Sequence, residues 1–409
     1  MRIMIPRVPI AIIHPLDPLG SKIGGIEQHI RGFIKRAPEE FAITLVGFTE
    51  DRRKRPVGRR LQLDLEGRPF SNFPVCYIPE PNRRKAVPQT LTFTAGLLRH
   101  RPNLEGMFLQ FHRVEPSLIC PRENTKVLFI HGNIETLFES SNESRWSKWP
   151  GLYFHIERFF INRMSKIFVQ NDDGLEFYKK IYPHLSNRLA FFPSWVDESI
   201  FFPYPLETKE NMKRSFLQQR NIDATSKMIL FAGRLELAKD PMLLMATFDY
   251  VCSLDPQVTL IVAGSGTMKN KMLQHAARNN IKDKVLFLGS LRQSEVAEVM
   301  RICDVFLLTS SFEGMPYVVV EALATGLPVV STNVGAISKA VHNNLSGLLV
   351  NSRSPVEIGN AVLNVMNEKA QYTPEKCVNA SKPFTADTVL TDIYKFYQRF
   401  AFYGNSSLS

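Results

Sequence analysis

Two glutamates eight residues apart, Glu313 and Glu321, stand in a stretch whose chemistry can be read residue by residue. Residues 305–309 are apolar, so a short buried strand is expected there. A polar turn follows as far as Met315, and Pro316 suits the first helical position, where its missing N–H costs nothing. The helix should run through Glu321, about one turn in, with Gly326 as its stop and Pro328 behind it. The free amides of Gly314, Met315 and the residues after them then lie at a positive helix end, which suits a phosphate or a developing anion. One carboxylate beside that anion position, and another a turn further along, suit a hydroxyl-rich ligand with a phosphate in its middle. A sugar nucleotide is such a ligand.

Other positions complement this stretch. Residues 228–231 read as a strand, followed by a turn flanked by Arg234 and Lys239. Arginine offers phosphate oxygens a rigid fork and lysine a point charge, so the pair could neutralise a diphosphate leaving group. Gly24 and Gly25 lie between a first strand ending near Ile13 and a helix from about Ile26; paired glycines allow close approach of backbone to a ligand at a helix N-terminus. Gly264 and Gly266 follow the strand 258–262 as Gly-x-Gly, a common pattern when it stands alone. His131 is expected at the carboxyl end of the strand 126–130, the crevice position of an α/β sheet. His112, at the end of a strand 106–111, is the second histidine candidate, while His29 reads as a surface or packed helix residue.

The block Ser310-Ser-Phe-Glu313-Gly-Met-Pro316 with Glu321-Ala-Leu-Ala-x-Gly326-x-Pro328-Val-Val resembles the Glu-x7-Glu signature of retaining glycosyltransferases of family four, the glycosyl transferases group 1. Gly-Arg234-Leu-x3-Lys239 resembles the phosphate-binding pair of that family, and Gly24-Gly25-Ile-Glu-Gln-His29 its first loop. The matching motifs follow one another in family order and weaken between 51 and 125. The resemblance implies an α/β chain of GT-B type: two Rossmann-like doubly wound domains facing a central cleft, with a C-terminal helix crossing back. The expected parts are an acceptor-binding domain at 1–203, a nucleotide-sugar-binding domain at 204–385 and the crossover helix with its tail at 386–409.

The activity so implied is transfer of a hexose from a UDP- or GDP-linked sugar to an acceptor hydroxyl with retained configuration. Glu321 would hold the ribose hydroxyls, and Glu313 the hexose, aided by the Gly314 and Met315 amides at Pro316. Arg234, Lys239 and the Gly24–Gly25 amides would stabilise the departing diphosphate; His131 would contact the hexose; and Gly264 and Gly266 would lie near the nucleotide. The expected attack is from the front face, with the leaving phosphate helping to remove the acceptor proton. Neither a cofactor nor a metal is expected, because protein cations do the neutralising. Asn171-Asp172-Asp173 superficially resembles the Asp-x-Asp metal motif of the other glycosyltransferase fold, but before a helix it reads as a cap. Two further functions fit the architecture: a sugar-nucleotide 2-epimerase, against which the Arg234/Lys239 and Glu313/Glu321 set argues, and a catalytically inactive donor-binding partner. Two positions depart from the family pattern, the loop Asn333-Val-Gly335-Ala336 in place of the commoner Gly-Gly and Ser338 where an acidic residue or proline is often found, and neither is expected to touch the phosphate or carboxylate set.

Composition agrees with a globular protein: of 409 residues, 44% are apolar and 22% charged. Residues 1–195 carry 29 of the 50 Lys and Arg but 19 of the 39 Asp and Glu, so nearly all of the net charge of +11 lies in that half. The densest runs are Arg52-Arg-Lys-Arg-Pro-Val-Gly-Arg-Arg60 and Arg83-Arg-Lys85. Without aromatic interleaving or a zinc motif these exclude nucleic acid as the expected partner; they suit an anionic membrane surface, or a solvated loop. The acceptor expected from this is a lipid-linked sugar of cell-surface polysaccharide assembly, with the protein cytoplasmic and peripheral on the inner face of the plasma membrane. Five scattered cysteines lack any Cys-x-x-Cys, so they imply neither zinc nor disulfides. Pro6, Arg7 and Pro9 break the apolar N-terminus, which reads as a strand rather than a signal peptide. The aromatics of a helix over 152–164, Phe159 and Phe160 among them, are expected in the core.

Overall fold

The computed structural model describes residues 7–21, 24–81, 88–131 and 157–403. Contacts divide these into two compact units: one takes the residues up to Phe192 and from Val389 onward, the other those from Pro193 to Thr388. Residues 193–203, which the sequence reading places in the first domain, therefore cluster with the second.

The first unit is built on an eight-stranded sheet in the order β3-β4-β2-β1-β5-β6-β7-β8. Its strands are β1 (Val8–Ile13), β2 (Phe41–Thr49), β3 (Leu61–Leu65), β4 (Arg68–Tyr77), β5 (Phe108–Phe111), β6 (Lys126–Ile130), β7 (Lys166–Val169) and β8 (Leu189–Phe191). All pairings are parallel except β3 with β4. Central strands such as β1 and β5 are apolar along nearly their whole length because helices cover both faces of a parallel sheet. The β3–β4 hairpin lies in the part of the chain where the family motifs are weakest. Its turn is Glu66-Gly67, both at positive φ (51° and 88°), and a glutamate is an unusual occupant of that conformation. The helix Ala386–Tyr403 starts in the second unit and continues in the first, where Tyr394 and Tyr397 pack on Phe33, Phe41 and Phe108.

In the helical residues around 160, Phe160 is buried but Phe159 is 53% exposed, with the guanidinium carbon of Arg163 4.1 Å from its ring centroid. The expected core role of Phe159 is thus corrected: its face is covered by a cation instead. Arg83-Arg84-Lys85 and the beginning of that helix lie outside the described residues.

The second unit has a six-stranded, wholly parallel sheet, ordered β11-β10-β9-β12-β13-β14. The strands are β9 (Lys227–Ala232), β10 (Val258–Ala263), β11 (Val285–Gly289), β12 (Val305–Leu308), β13 (Val329–Thr332) and β14 (Gly347–Val350). The order reverses between β9 and β12. In a doubly wound sheet the loops leaving the carboxyl ends of such strands are where ligands bind. Arg234, Lys239 and Glu313 all lie in those loops. Among the described residues, no helix is long and apolar enough to cross a membrane.

Candidate active site

In the second unit, β9 ends at Ala232 and the chain turns through Gly233 and Arg234 to a single 3-10 turn, Leu237–Lys239. The loop after β10 lies directly on this backbone. Gly264 has φ +149°, and a Cβ there would sit 1.8 Å from the Gly233 carbonyl oxygen; one at Gly266 would sit 2.4 Å from that of Leu235. The Gly233 and Leu235 amides donate to the Ala263 and Ser265 carbonyls, both at 2.9 Å. The two glycines thus have a structural job that the Gly-x-Gly spacing did not disclose: their missing side chains let one loop brace the other around Arg234. Arg234 itself is exposed and pairs with no protein group among the described residues.

Lys239 is already engaged. Its ammonium binds Glu313 Oε1, which also accepts a 2.6 Å hydrogen bond from Ser310 Oγ. The side chains are largely buried, at 19% and 10% exposure, so this pair is held in a partly dry environment where charge interactions are strong. Bonds between its two loops, and from the Glu313 loop to the end of β13, hold it in place. The Ser311 amide donates to the Ala238 carbonyl at 3.0 Å, and Thr309 Oγ1 to that of Lys239 at 3.2 Å. Arg353 donates to the carbonyls of Ser310 and Thr309 and to the Asp240 carboxylate. Thr332 Oγ1 donates to the Ser310 carbonyl at 2.7 Å.

Around Glu313 the backbone is equally constrained. Gly335, at φ +58°, has no room for a Cβ, which would stand 2.2 Å from the Glu313 carbonyl oxygen and 2.4 Å from that of Gly314. The Ala336 amide donates to the Gly314 carbonyl at 2.9 Å. This corrects the expectation that the 333–336 loop leaves the carboxylate set untouched. On the other side Ser194 Oγ donates to the Met315 carbonyl. The carbonyls of Gly314 and Met315 are therefore spoken for, while their amides donate to no group among the described residues.

The helix itself is Tyr317–Ala324. Pro316 has φ −72° and ψ 127°, an extended conformation, so it is the cap residue rather than the first helical one. Gly326, at φ +77°, makes the expected left-handed stop. Glu321 is 4% exposed, and burial pushes its carboxyl up to about 7, against a hydrogen bond from Gln293 that pulls it down. A carboxyl kept this dry without a cationic partner is held ready for hydrogen-bond donors from elsewhere.

In the first unit Gly24 precedes the helix Gly25–Lys35 in extended backbone. The Gly25 amide belongs to the first turn, whose N–H groups have no intrahelical acceptor. Arg31 braces the preceding loop through the carbonyls of Asp17, Pro18 and Gly20. Asp17, fully buried, also receives Arg55 at 2.7 Å and the Glu50 amide at 2.7 Å. Of the basic run 52–60, Arg55 is therefore a structural residue, while Arg52, Arg53, Lys54, Arg59 and Arg60 remain exposed.

The carboxyl ends of β1, β5 and β6 and the first helix bring four histidines together: His14, His29, His112 and His131. His29 is fully buried against His112, His131, Phe129 and Phe192. Burial pushes it down to about 3, and holds His112 and His131 well below the usual histidine range with the neighbouring imidazoles adding to the effect. All three are neutral at physiological pH. Asn171, as expected, caps the helix Asp172–Ile181, accepting from the Gly174 amide. Among the described residues no group of His, Cys, Asp and Glu is arranged to hold a metal ion.

Residues 212–383 match the family described as Glycosyl transferases group 1. Over this stretch, a little over two fifths of the chain, the protein is similar to glycosyl transferases group 1. It is 27% identical over 252 residues to the D-inositol 3-phosphate glycosyltransferase of Corynebacterium urealyticum, an alignment covering 58% of each chain. It is 26% identical over 206 residues to the UDP-Gal:alpha-D-GlcNAc-diphosphoundecaprenol alpha-1,3-galactosyltransferase of Escherichia coli, covering 50% of this chain and 51% of that one. The chain thus spans a little over half the length of these curated relatives. The sucrose-phosphate synthase of Thermosynechococcus elongatus superposes with a TM-score of 0.75 at 17% identity, over 97% of this chain and 99% of that one. This likeness shows the fold, the GT-B architecture of two Rossmann-like domains expected from the sequence.

Within the matched stretch, Lys239 and Glu313 are in contact, and the glycines 264 and 266 brace the Arg234 loop. Three supporting residues were missed by sequence reasoning. Arg353 and Thr332 tie the Glu313 loop, and Ser194 holds the Met315 carbonyl. Each acts through a backbone carbonyl, which leaves no motif. Only Gly335 carried a signal, a glycine in the loop that follows the buried strand β13.

Proposed function

We propose that the protein is a retaining glycosyltransferase that moves a hexose from a nucleoside-diphosphate sugar, UDP- or GDP-linked, to an acceptor hydroxyl, with neither metal nor further cofactor. The observation that carries this reading is the Lys239–Glu313–Ser310 cluster beside the unpaired Arg234, one helical segment away from the buried, uncompensated Glu321. Glu321 accepts the two ribose hydroxyls. Arg234 and Lys239 take the diphosphate, and the Gly314 and Met315 amides, with Glu313, take the hexose. When a phosphate reaches Lys239, the ammonium is shared with it and Glu313 is released toward the sugar hydroxyls. For the first domain, the reading assigns the Gly24 and Gly25 amides to a phosphate and His131 to a sugar hydroxyl.

In the transfer step the bond from the anomeric carbon to the β-phosphate oxygen breaks, and the acceptor oxygen bonds to the same face of that carbon. The acceptor proton passes to the departing diphosphate. The protein groups supply charge stabilisation where negative charge grows, which is the largest lever available in a dry site.

For the acceptor, the reading favours a lipid-linked sugar of cell-surface polysaccharide assembly at the inner face of the plasma membrane. It is supported by the exposed basic residues around 52–60 and by the lipid-diphosphate acceptor in the name of the Escherichia coli relative.

A thermal-shift screen against UDP, GDP, ADP and their sugars tests the donor half. One nucleoside diphosphate should raise the melting temperature, and Glu321→Gln should abolish its effect. If none of them shifts the transition, the proposal fails.

A further inference from the structure

The last helix reaches His131 through an unbroken hydrogen-bond chain. Tyr397 Oη lies 2.8 Å from Gln110 Oε1; Gln110 Nε2 lies 3.0 Å from His112 Nε2; and His112 Nδ1 lies 2.6 Å from His131 Nε2. Tyr397 and Gln110 are fully buried and His112 nearly so. At the far end His131 Nδ1 is enclosed, with no protein hydrogen-bond partner among the described residues.

A chain of this kind has a direction, because each link needs one donor and one acceptor. Tyr397 fixes it. Its hydroxyl proton has no acceptor among the described residues other than the oxygen of Gln110. If the amide were turned over, Gln110 would donate to Tyr397 and leave that buried hydroxyl proton unpaired. The amide oxygen therefore faces Tyr397, and the amide N–H faces His112. His112 must accept at Nε2, so its single proton is on Nδ1. That proton goes to His131 Nε2, so the proton of His131 is on Nδ1. His112 and His131 are neutral, which makes one proton per ring the correct count.

We propose that Tyr397, Gln110 and His112 are positioning residues that set the tautomer of His131, so that its Nδ1, enclosed in the ligand-free protein, is an N–H donor and never an acceptor toward a ligand oxygen that reaches it. That the ligand is a sugar hydroxyl rests on the transferase reading above; the tautomer does not. A hydroxyl taking this bond must accept with its oxygen, which leaves its own proton free for a second partner such as a carboxylate. The C-terminal helix, far from His131 in sequence, thereby determines the sense of a hydrogen bond at the carboxyl end of β6.

The test is the tautomer itself, read in the ligand-free full-length protein labelled with 15N-histidine. Long-range 1H–15N correlation separates protonated from bare ring nitrogens, and His131→Gln identifies the signals. Wild type should show His131 as the neutral Nδ1–H form. Gln110→Glu, which accepts from both neighbours, should reverse the chain and move the His131 proton to Nε2. Tyr397→Phe frees the amide to turn and should give a mixture of both forms; it removes only a hydroxyl and so also covers the case in which the glutamate variant does not fold. Where transfer is measurable, Tyr397→Phe should lower kcat several-fold with the donor KM nearly unchanged. An Nε2–H or doubly protonated His131 in wild type, or an Nδ1–H form untouched by either variant, overturns the proposal. A clean tautomer result together with no nucleotide binding would leave the chain intact and remove the transferase reading instead.

Discussion

Glu321 carries an energetic cost in the ligand-free protein that its ligand should relieve. Its carboxyl, ordinarily near 4.5, is pushed up to about 7 by burial. The folded state therefore holds this proton more tightly than the unfolded chain. The stability it confers is fully present below 4.5 and is lost as pH rises through 7. A gap of this size corresponds to about 3 kcal/mol above neutrality. Glu321→Gln, which cannot ionise, should be more stable than wild type at pH 8 by up to about 3 kcal/mol, with the difference falling below about 1 kcal/mol at pH 5. Urea denaturation at the two pH values measures it, and equal differences at both would show that the carboxyl is not held in a dry site. If Glu321 takes ribose hydroxyls as proposed, the same proton should oppose nucleotide binding: calorimetric affinity for a nucleoside diphosphate should rise from pH 6 to pH 8, because hydroxyls donate best to the ionised form.

At the scale of the elements, the site depends on loops laid backbone to backbone. Gly335→Ala tests this most directly. The methyl would meet the Glu313 and Gly314 carbonyls at 2.2 and 2.4 Å, at a residue with φ +58°. Relieving that overlap must shift the very peptides that present Glu313. We expect a melting temperature lowered by a few degrees, the equivalent of about 1–2 kcal/mol, but transfer activity reduced at least about 10-fold, since small misplacements of reacting groups are amplified in rate. Unchanged activity in a destabilised protein would show that this contact serves the fold alone. The example also marks what a sequence can disclose. The placement of Arg234, Lys239 and Glu313 in loops after strands, and of Glu321 on the following helix, was legible because apolar strand runs and the Pro316 and Gly326 signals bracket them. The contribution of Arg353 was not legible, because it acts on carbonyls that every residue possesses and on the carboxylate of Asp240, 113 residues away in sequence. The β3–β4 hairpin stayed hidden because Glu66 occupies a turn conformation that asparagine or glycine usually advertises. The histidine cluster was half legible: His131 and His112 followed from their strand ends, but their contact depends on β5 and β6 being neighbours, which spacing along the chain does not state.

At the scale of the whole molecule the question is what the surplus positive charge of the N-terminal half is for. The structure divides the basic run 52–60 into two populations. Arg55 is withdrawn into a buried pair with Asp17 that anchors the loop between β1 and the first helix. Removing one partner of such a pair leaves an uncompensated buried charge, at a cost of about 3–5 kcal/mol. Arg55→Ala should therefore lower the melting temperature and say nothing about membranes. Arg52, Arg53, Lys54, Arg59 and Arg60 face solvent, and Arg52 lies over the exposed ring of Tyr77 at 5.2 Å. Changing these five to serine should leave the melting temperature within a few degrees of wild type. If the loop docks on anionic lipid, each charge is worth about 1 kcal/mol near the surface. Co-sedimentation with vesicles containing phosphatidylglycerol should then be lost in the five-fold variant, and in wild type at high salt, where the surface potential is screened. Vesicle binding that survives both changes would place membrane attachment elsewhere. Failure of wild type to bind at all would leave this charge as a solvated loop, and would remove the main structural support for a lipid-linked acceptor while leaving the donor reading as it stands.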